Sequence, residues 1–524
     1  MSEAKLINDT FEQISNLINI GEYSIALKLL YEFESKYPKD VQIFFNKVGF
    51  LIDIGQGLRD INLVKSGIEL GEKILTTNTS EAYNTNLYYN LANGYSALYS
   101  LDYNTEEPFK YLLGNEYLQR SKNYLRNALK NSDKLDQNFK LQLWTNYGNC
   151  LDTLGRGIEA IYAYEEALKI DSKFSMALGN KAKALRIFAE ISGIYRDAIY
   201  IYSHQMLKSI LDNADLIAYG GIRARDHFIS EIKFIESRVK KENLSEKISH
   251  PELKYNRYTK FEKYYIKFCL AHQLFLNFHI HENYCKASIS DPIFISLITE
   301  AKDHNSFYDL AKQINQIKED YAVARLLLVQ SQFKKDEITR ISKLTALVNT
   351  MDYSDFNIYI GLLKSAFKIA YNIFDKISRF LNEYLNLGIT GNIYFTTIWQ
   401  RKVSKNIYEI KPEIINRKNL SLCALFDIFL DMKSGFYRKI QDIRNAAVHE
   451  KLVIYDSVLT DWDSKEDRNN IGSEMMLTQT INLFNLVKSA IIYLINFVNL
   501  EENKKVYNKD VIFIPKYLDL TQYI

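Results

Sequence analysis

The chain is expected to be all-α, and three observations lead there. Prolines are scarce: the 524 residues include only six, with none between Pro108 and Pro251 or between Pro292 and Pro412. Long helices can therefore run without a ring that blocks the backbone. Apolar residues recur at three- and four-residue spacing over most of the sequence, the period of a helix buried on one side. Helix-turn-helix units also repeat in the first two hundred residues. The only stretch that reads as a strand is Val511 to Ile514, after the last helix.

Length and composition bound the rest. A chain of this length exceeds one core and divides into two or three domains. Hydrophobic residues are 47% and charged residues 25%, ordinary for a soluble globular protein. The formal net charge of +3 is too small for a dedicated duplex-binding surface, although it leaves room for a local RNA pocket. Cys150, Cys269, Cys285 and Cys423 are scattered, which fits a reducing compartment and a cytoplasmic protein. Met1 to Ile20 carries acidic residues and no basic start before an apolar core, so it does not read as a signal peptide. The apolar stretch Ile481 to Leu500 contains Asn482, Asn485, Lys488 and Asn496, and reads as a buried amphipathic helix and not a membrane span.

The clearest repeat runs through Trp144, Tyr147, Gly148, Leu151, Leu154-Gly155, Ala160, Tyr164 and Ala167. Two antiparallel helices can approach closely where Gly148 and Ala160 offer no bulk. Trp144, Tyr147, Leu151 and Tyr164 fill the seam, and Leu154-Gly155 makes the turn. This order resembles the tetratricopeptide (TPR) pattern, with Ser172 in place of the usual closing proline. The next unit opens in phase at Ala177, Leu178, Ala182 and Leu185. Gly21, Ala26, Leu30, Phe33 and Pro38 fit the second helix of an earlier unit. Tyr88, Leu91, Ala92 and Tyr95 fit the first helix of another, with an insertion from Asp102 to Tyr117. Residues 1–204 are thus expected to form a TPR-like solenoid. The resemblance implies either a concave surface for an unknown protein or peptide, or a structural support for the C-terminal domain.

Residues 205–317 keep helical periodicity without repeats, with breaks at Gly220-Gly221 and from Lys240 to His250. Cys269, His272, His279, His281 and Cys285 are metal-capable, but Phe275, Leu276 and Phe278 lie among them and no standard zinc spacing occurs. Core or surface histidines are the expected reading, with no metal and no cofactor.

The chemistry lies in Tyr437 to His449. Phe436, Ile440, Ile443 and Ala447 have helical spacing and are expected to face the core. Arg438, Asp442, Asn445 and His449 then project from the opposite side. Asn445 and His449, four apart, are neighbours. Arg444, five before His449, needs its long side chain to reach the same ligand. An imidazole exchanges protons near neutrality, and a guanidinium is a permanent fork for phosphate oxygens. An Arg and a His five residues apart also occur on ordinary solvated helix faces. Here the sequence Arg444-Asn445-Ala446-Ala447-Val448-His449 resembles the Arg-Asn-x3-His form of the HEPN motif. Ala370 to Ile377, within a helix expected over Tyr359 to Leu385, resembles the first long helix of HEPN domains. Asn419-Leu420 through Leu430 and Met475 to Asn499 fit the helices on either side of the motif.

The whole is similar to the bacterial subgroup that joins TPR-type helices to a C-terminal HEPN domain, here residues 318–505, with 506–524 as a tail. The resemblance implies a helical bundle that forms a homodimer, motif helices facing each other, and metal-independent cleavage of single-stranded or looped RNA. It gives Arg444 the scissile phosphate, Asn445 the orientation of His449 or the RNA, and His449 acid/base work. Asp375 and Lys376 fall where that first helix places polar support, with Arg438 and Asp442 as further candidates. Control by the TPR half, and a role as a toxin or anti-phage effector, are further expectations. The alternative is a non-catalytic interaction or RNA-binding protein.

Overall fold

The computed structural model describes residues 3–37, 41–77, 81–103, 106–130, 132, 135–245, 255–278, 286–295, 297, 299–300, 304–405, 407–459, 461, 467–505 and 512–513. It is built almost wholly of α-helices. The sequence suggests a solenoid, a connecting region and a bundle, whereas the structure divides the chain into two compact units. Residues 206–232 join the repeats of 1–184, and 185–205 join 233–524. The expected connecting region is therefore shared between the units.

In the first unit, helices succeed one another as antiparallel neighbours. The best repeat consists of Gln137–Thr153 and Gly157–Ile170. Asp136 starts it, its carboxylate accepting from the backbone N–H groups of Asn138 and Phe139 at 2.8 and 3.1 Å. The turn passes through Gly155 at φ +82°, a conformation that favours glycine. Ala160 and Tyr164 are buried, and Trp144 and Tyr147 pack half-buried against them. At Gly148 a Cβ would stand 2.4 Å from the Tyr164 ring, so glycine lets the two helices meet. Ser175–Ile187 opens the next unit in the expected phase. Tyr23–Lys36 and Glu81–Leu101 are the two earlier helices, and Pro38 lies outside the described residues. The insertion holds a short helix, Pro108–Leu112, with proline at its start. The break at Gly220-Gly221 is a kink: Gly221 has φ +68° within the helical span Ala214–Glu236.

The second unit is a bundle around Ser473–Glu502. His304–Gln332 lies along Ile358–Tyr384, and Leu420–Lys433, Arg438–His449 and Ile358–Tyr384 pack on the central helix. Among the described residues only Ser473–Glu502 is long and apolar enough to cross a membrane, and 83% of its apolar window is buried inside the protein. Several of its polar groups are partnered there, although Asn485 Oδ1 and Asn496 Oδ1 are buried and accept no hydrogen bond among the described residues. Asn496 donates to Ser421 Oγ at 2.8 Å, Lys488 to the Gln273 carbonyl at 3.0 Å, and Glu502 accepts from Tyr384 Oη at 2.6 Å.

Short strands depart from expectation. Ile512–Phe513, inside the expected strand, pairs with Thr299–Glu300. The sequence reading missed a hairpin, Gln400–Ser404 with Ile407–Ile410, and a three-stranded patch. In that patch Val453–Tyr455 is central, antiparallel to Ser354–Asp355 and parallel to Asn470–Gly472. Segments of two to five residues hold too few alternations to register as strands.

Candidate active site

The motif helix Arg438–His449 begins in a turn made by Gly435 at φ +86°. There the Phe436 N–H donates to the Asp431 carbonyl at 3.1 Å, which closes off Leu420–Lys433. Ile440, Ile443 and Ala446 form the buried face. This corrects two positions. Phe436 lies in the turn before the helix, out of helical phase, and is 44% exposed. Ala447 is only half-buried, because the face continues at three-residue spacing to Ala446.

Arg444 reaches across to its neighbours on the helix. Its Nη1 donates to Asn445 Oδ1 at 3.2 Å and to His449 Nε2 at 3.0 Å. A guanidinium can only donate, so Nε2 carries the lone pair and the imidazole proton sits on Nδ1 in this arrangement. The guanidinium rests over the Tyr371 ring, 5.6 Å from its centroid. Arg444 Nε is buried and has no hydrogen-bond partner. His449 is exposed at the end of its helix. A cation is thus fixed beside an accessible imidazole, an arrangement suited to an oxyanion.

Asp375 stands one turn beyond Tyr371 on Ile358–Tyr384. It accepts from the Phe395 N–H at 3.1 Å. Burial pushes its carboxyl above the ordinary value, against the pull of that bond and of the Arg444 and Arg379 charges. Burial likewise raises the Tyr371 phenol, and the Arg444 charge opposes it.

The other candidates lie elsewhere. Lys376 turns to an ion pair with Asp320 on His304–Gln332 and is not among the contacts of Arg444. Arg438 pairs with Asp442 at 3.7 Å, and Arg468 reaches the same carboxylate at 3.6 Å. With Lys439 and Asp467 they line a cavity of about 370 Å³ toward the start of the motif helix. Among the described residues no hydrogen bond or ion pair joins this cluster to Arg444, Asn445 or His449. Sequence reasoning missed Tyr371; its signal was its place four residues before Asp375, on the same helix face. It also missed Lys364, whose Nζ donates to the Leu452 carbonyl at 2.6 Å and holds the chain just past His449.

Of the metal-capable group, Cys269 is buried, and His272 packs its ring 4.5 Å from that of Phe268. His279, His281 and Cys285 lie outside the described residues.

Residues 301–501 match the LA2681-like HEPN family. The C-terminal part of the chain is therefore a HEPN domain, preceded by TPR-like helical repeats. Similar solved structures include a thermophilic TPR protein of Thermus thermophilus, at 17% identity and a TM-score of 0.32, covering 43% of this chain and 98% of that one. The TPR2AB domain of yeast Sti1, solved in complex with pHSP90, has 11% identity and a TM-score of 0.18, covering 44% and 99%. The C-terminal part of a TPR repeat-containing protein from Cytophaga hutchinsonii has 12% identity and a TM-score of 0.20, covering 45% and 100%. No curated protein matches the sequence.

Proposed function

We propose that the HEPN domain is a metal-independent endoribonuclease, with Arg444, Asn445 and His449 as its working residues. The observation that carries the reading is the Arg444 guanidinium, seated over Tyr371 and donating to Nε2 of the exposed His449. In the reaction a base takes the proton of the ribose 2′-OH, and O2′ attacks the adjacent phosphorus. The P–O5′ bond breaks, and an acid protonates the departing oxygen. Arg444 neutralises the charge that gathers on the phosphate oxygens. Asn445 fixes the position of Arg444 and the RNA backbone. His449 is the proton carrier. Each chain has one such imidazole, so a homodimer supplies the base and the acid together. Single-stranded or looped RNA is the substrate, because in-line attack needs a flexible backbone. The TPR-like half binds a protein or peptide that controls cleavage, consistent with a cytoplasmic toxin or anti-phage effector.

The test is cleavage of single-stranded RNA by purified protein in EDTA. The expected products end in a 2′,3′-cyclic phosphate, or its hydrolysis product, and a 5′-hydroxyl. His449→Ala should lower the rate by about a hundredfold to ten-thousandfold. As a substitution of an exposed residue, it should change stability by no more than about 0.5 kcal/mol. Wild-type cleavage that stops in EDTA, or a folded His449→Ala that cuts at the wild-type rate, overturns the mechanism and leaves an RNA-binding or interaction module.

A further inference from the structure

A second polar site lies along the helix that carries Tyr371 and Asp375. An open cavity of about 680 Å³ is formed between His304–Gln332, Ile358–Tyr384 and the loop at the C-terminal end of the latter. That volume lies within the roughly 300–1,000 Å³ of small-ligand sites. Its walls are set by bonds already made. Lys376 pairs with Asp320, and Gln313 donates to Glu383 at 2.6 Å, so the two helices are clasped. Asn382 holds the loop through the Ile389 backbone, accepting from its N–H and donating to its carbonyl, each at 3.0 Å.

Three lining side chains are left over. Gln316, Arg379 and Asn386 are exposed, and make no side-chain hydrogen bond or ion pair among the described residues. They offer one permanent cation and two carboxamides, each amide both donor and acceptor. A phosphate beside a base edge calls for this mixture. An apolar ligand would satisfy none of the three.

The cavity lies farther along the helix whose Tyr371 ring carries Arg444. Tyr371, Asp375 and Arg379 are spaced by four residues, one turn each, so they form one strip on one helix face. Arg444 sits over the first, and the second lies in the electrostatic field of both Arg444 and Arg379. From Tyr371 to Asn382 is eleven residues, about 16 Å of helix. That distance is a short run of extended chain and not a separate lobe.

We infer that the cavity at Gln316, Arg379 and Asn386 is a nucleotide subsite for the RNA strand held at Arg444 and His449, with Arg379 on a phosphate and the two amides on the edge of an unstacked base. This rests on the ribonuclease reading and adds where the strand goes.

The experiment uses full-length protein carrying His449→Ala, so that RNA is bound without being cut. The probe is a fluorescently labelled mixed-sequence 12-nucleotide single strand, titrated across a range of KCl concentrations. Arg379→Glu should weaken binding about tenfold and reduce the salt dependence by the equivalent of about one phosphate contact, ~0.7 in the log–log slope for single strands. Gln316→Ala with Asn386→Ala should leave that slope alone and flatten the preference among homopolymeric strands. Lys28→Glu, an equal charge change on the exposed first unit, should do neither. Melting temperatures of the variants confirm folding, since all the side chains changed for the cavity test are exposed. If folded Arg379→Glu binds with wild-type affinity and slope while the unmutated protein still cuts RNA, the subsite is wrong and the ribonuclease reading stands. If the unmutated protein cuts nothing but Arg379→Glu still loses RNA with the reduced slope, the subsite stands and the catalytic reading falls. If mixed nucleoside monophosphates occupy the cavity without displacing the strand, the subsite does not belong to an RNA path and the inference fails.

Discussion

Arg444 does two things that its charge alone does not require: it forks toward Asn445 and His449, and it lies on an aromatic face. Lysine keeps the charge but has neither the fork nor a flat surface to stack. Arg444→Lys should therefore retain partial activity, and Arg444→Ala none, in single-turnover cleavage. Tyr371→Phe keeps the ring under the guanidinium and should cut within about threefold of wild type. Tyr371→Ala removes a cation–π contact of about 0.5–2 kcal/mol and should cost roughly two- to thirtyfold. Equal rates for Tyr371→Ala and wild type would show that the ring does not position Arg444. At this scale the sequence revealed what is local. Arg444, Asn445 and His449 lie within six residues, and a helix of known period brings them together. Tyr371 is far away in sequence, and only packing brings it beneath Arg444. Lys376 shows the converse: adjacent to Asp375 in sequence, it is turned about 100° around the helix and meets Asp320.

Helices were the legible elements. Those expected over Tyr359 to Leu385 and Met475 to Asn499 are observed at Ile358–Tyr384 and Ser473–Glu502, because long apolar periodicity leaves little ambiguity. Elements held by long-range polar contacts were not legible. The clearest is the clasp that ties Tyr265, Leu274 and Asp291 to His304–Gln332. Arg325, 5% exposed, grips Asp291 with two bonds of 3.0 and 2.7 Å, and also donates to Tyr265 Oη and the Leu274 carbonyl. Burial alone would push the Asp291 carboxyl up; the Arg325 charge and bonds outweigh it and hold the carboxyl below its ordinary 3.8. A depressed folded value means that this stabilisation is complete above the unfolded value, near ~3.9, and is lost as pH falls through the folded one. Arg325→Ala leaves a half-buried carboxylate without its partner and should destabilise the second unit by about 2–3 kcal/mol at neutral pH. Urea unfolding at pH 7 and at pH 3 should show the gap between variant and wild type narrowing in acid. A gap of the same size at both pH values would mean that packing, and not charge, accounts for the clasp.

The whole chain joins TPR-like repeats to a HEPN domain, a plan visible in the sequence because one half carries a repeat and the other a short motif, whereas the fate of residues 205–317 depended on contacts that no local pattern records. The proposed chemistry sets a requirement at this same scale. Cleavage moves two protons, one off the 2′-OH and one onto O5′, while Arg444 engages a single His449 in each chain. One imidazole starts each turnover in only one protonation state, so a lone site has either its base or its acid and not both. In the proposed homodimer, two chains with their motif helices opposed would provide one neutral and one protonated imidazole around a single phosphate. Activity should then fall more steeply than protein concentration once dilution passes the dimer dissociation constant. Mixing gives the sharper test. If excess His449→Ala is exchanged into wild-type protein, mixed dimers contain one imidazole and should be inactive, so the surviving activity follows the square of the wild-type fraction. With three parts variant to one part wild type, the mixture should have about one sixteenth of the activity of the same total amount of wild-type protein, set against one quarter if each chain works alone. Sedimentation of the same mixtures establishes that exchange has occurred. Activity proportional to the wild-type fraction, in fully exchanged dimers, would place both proton transfers within one chain and require a second group beside His449.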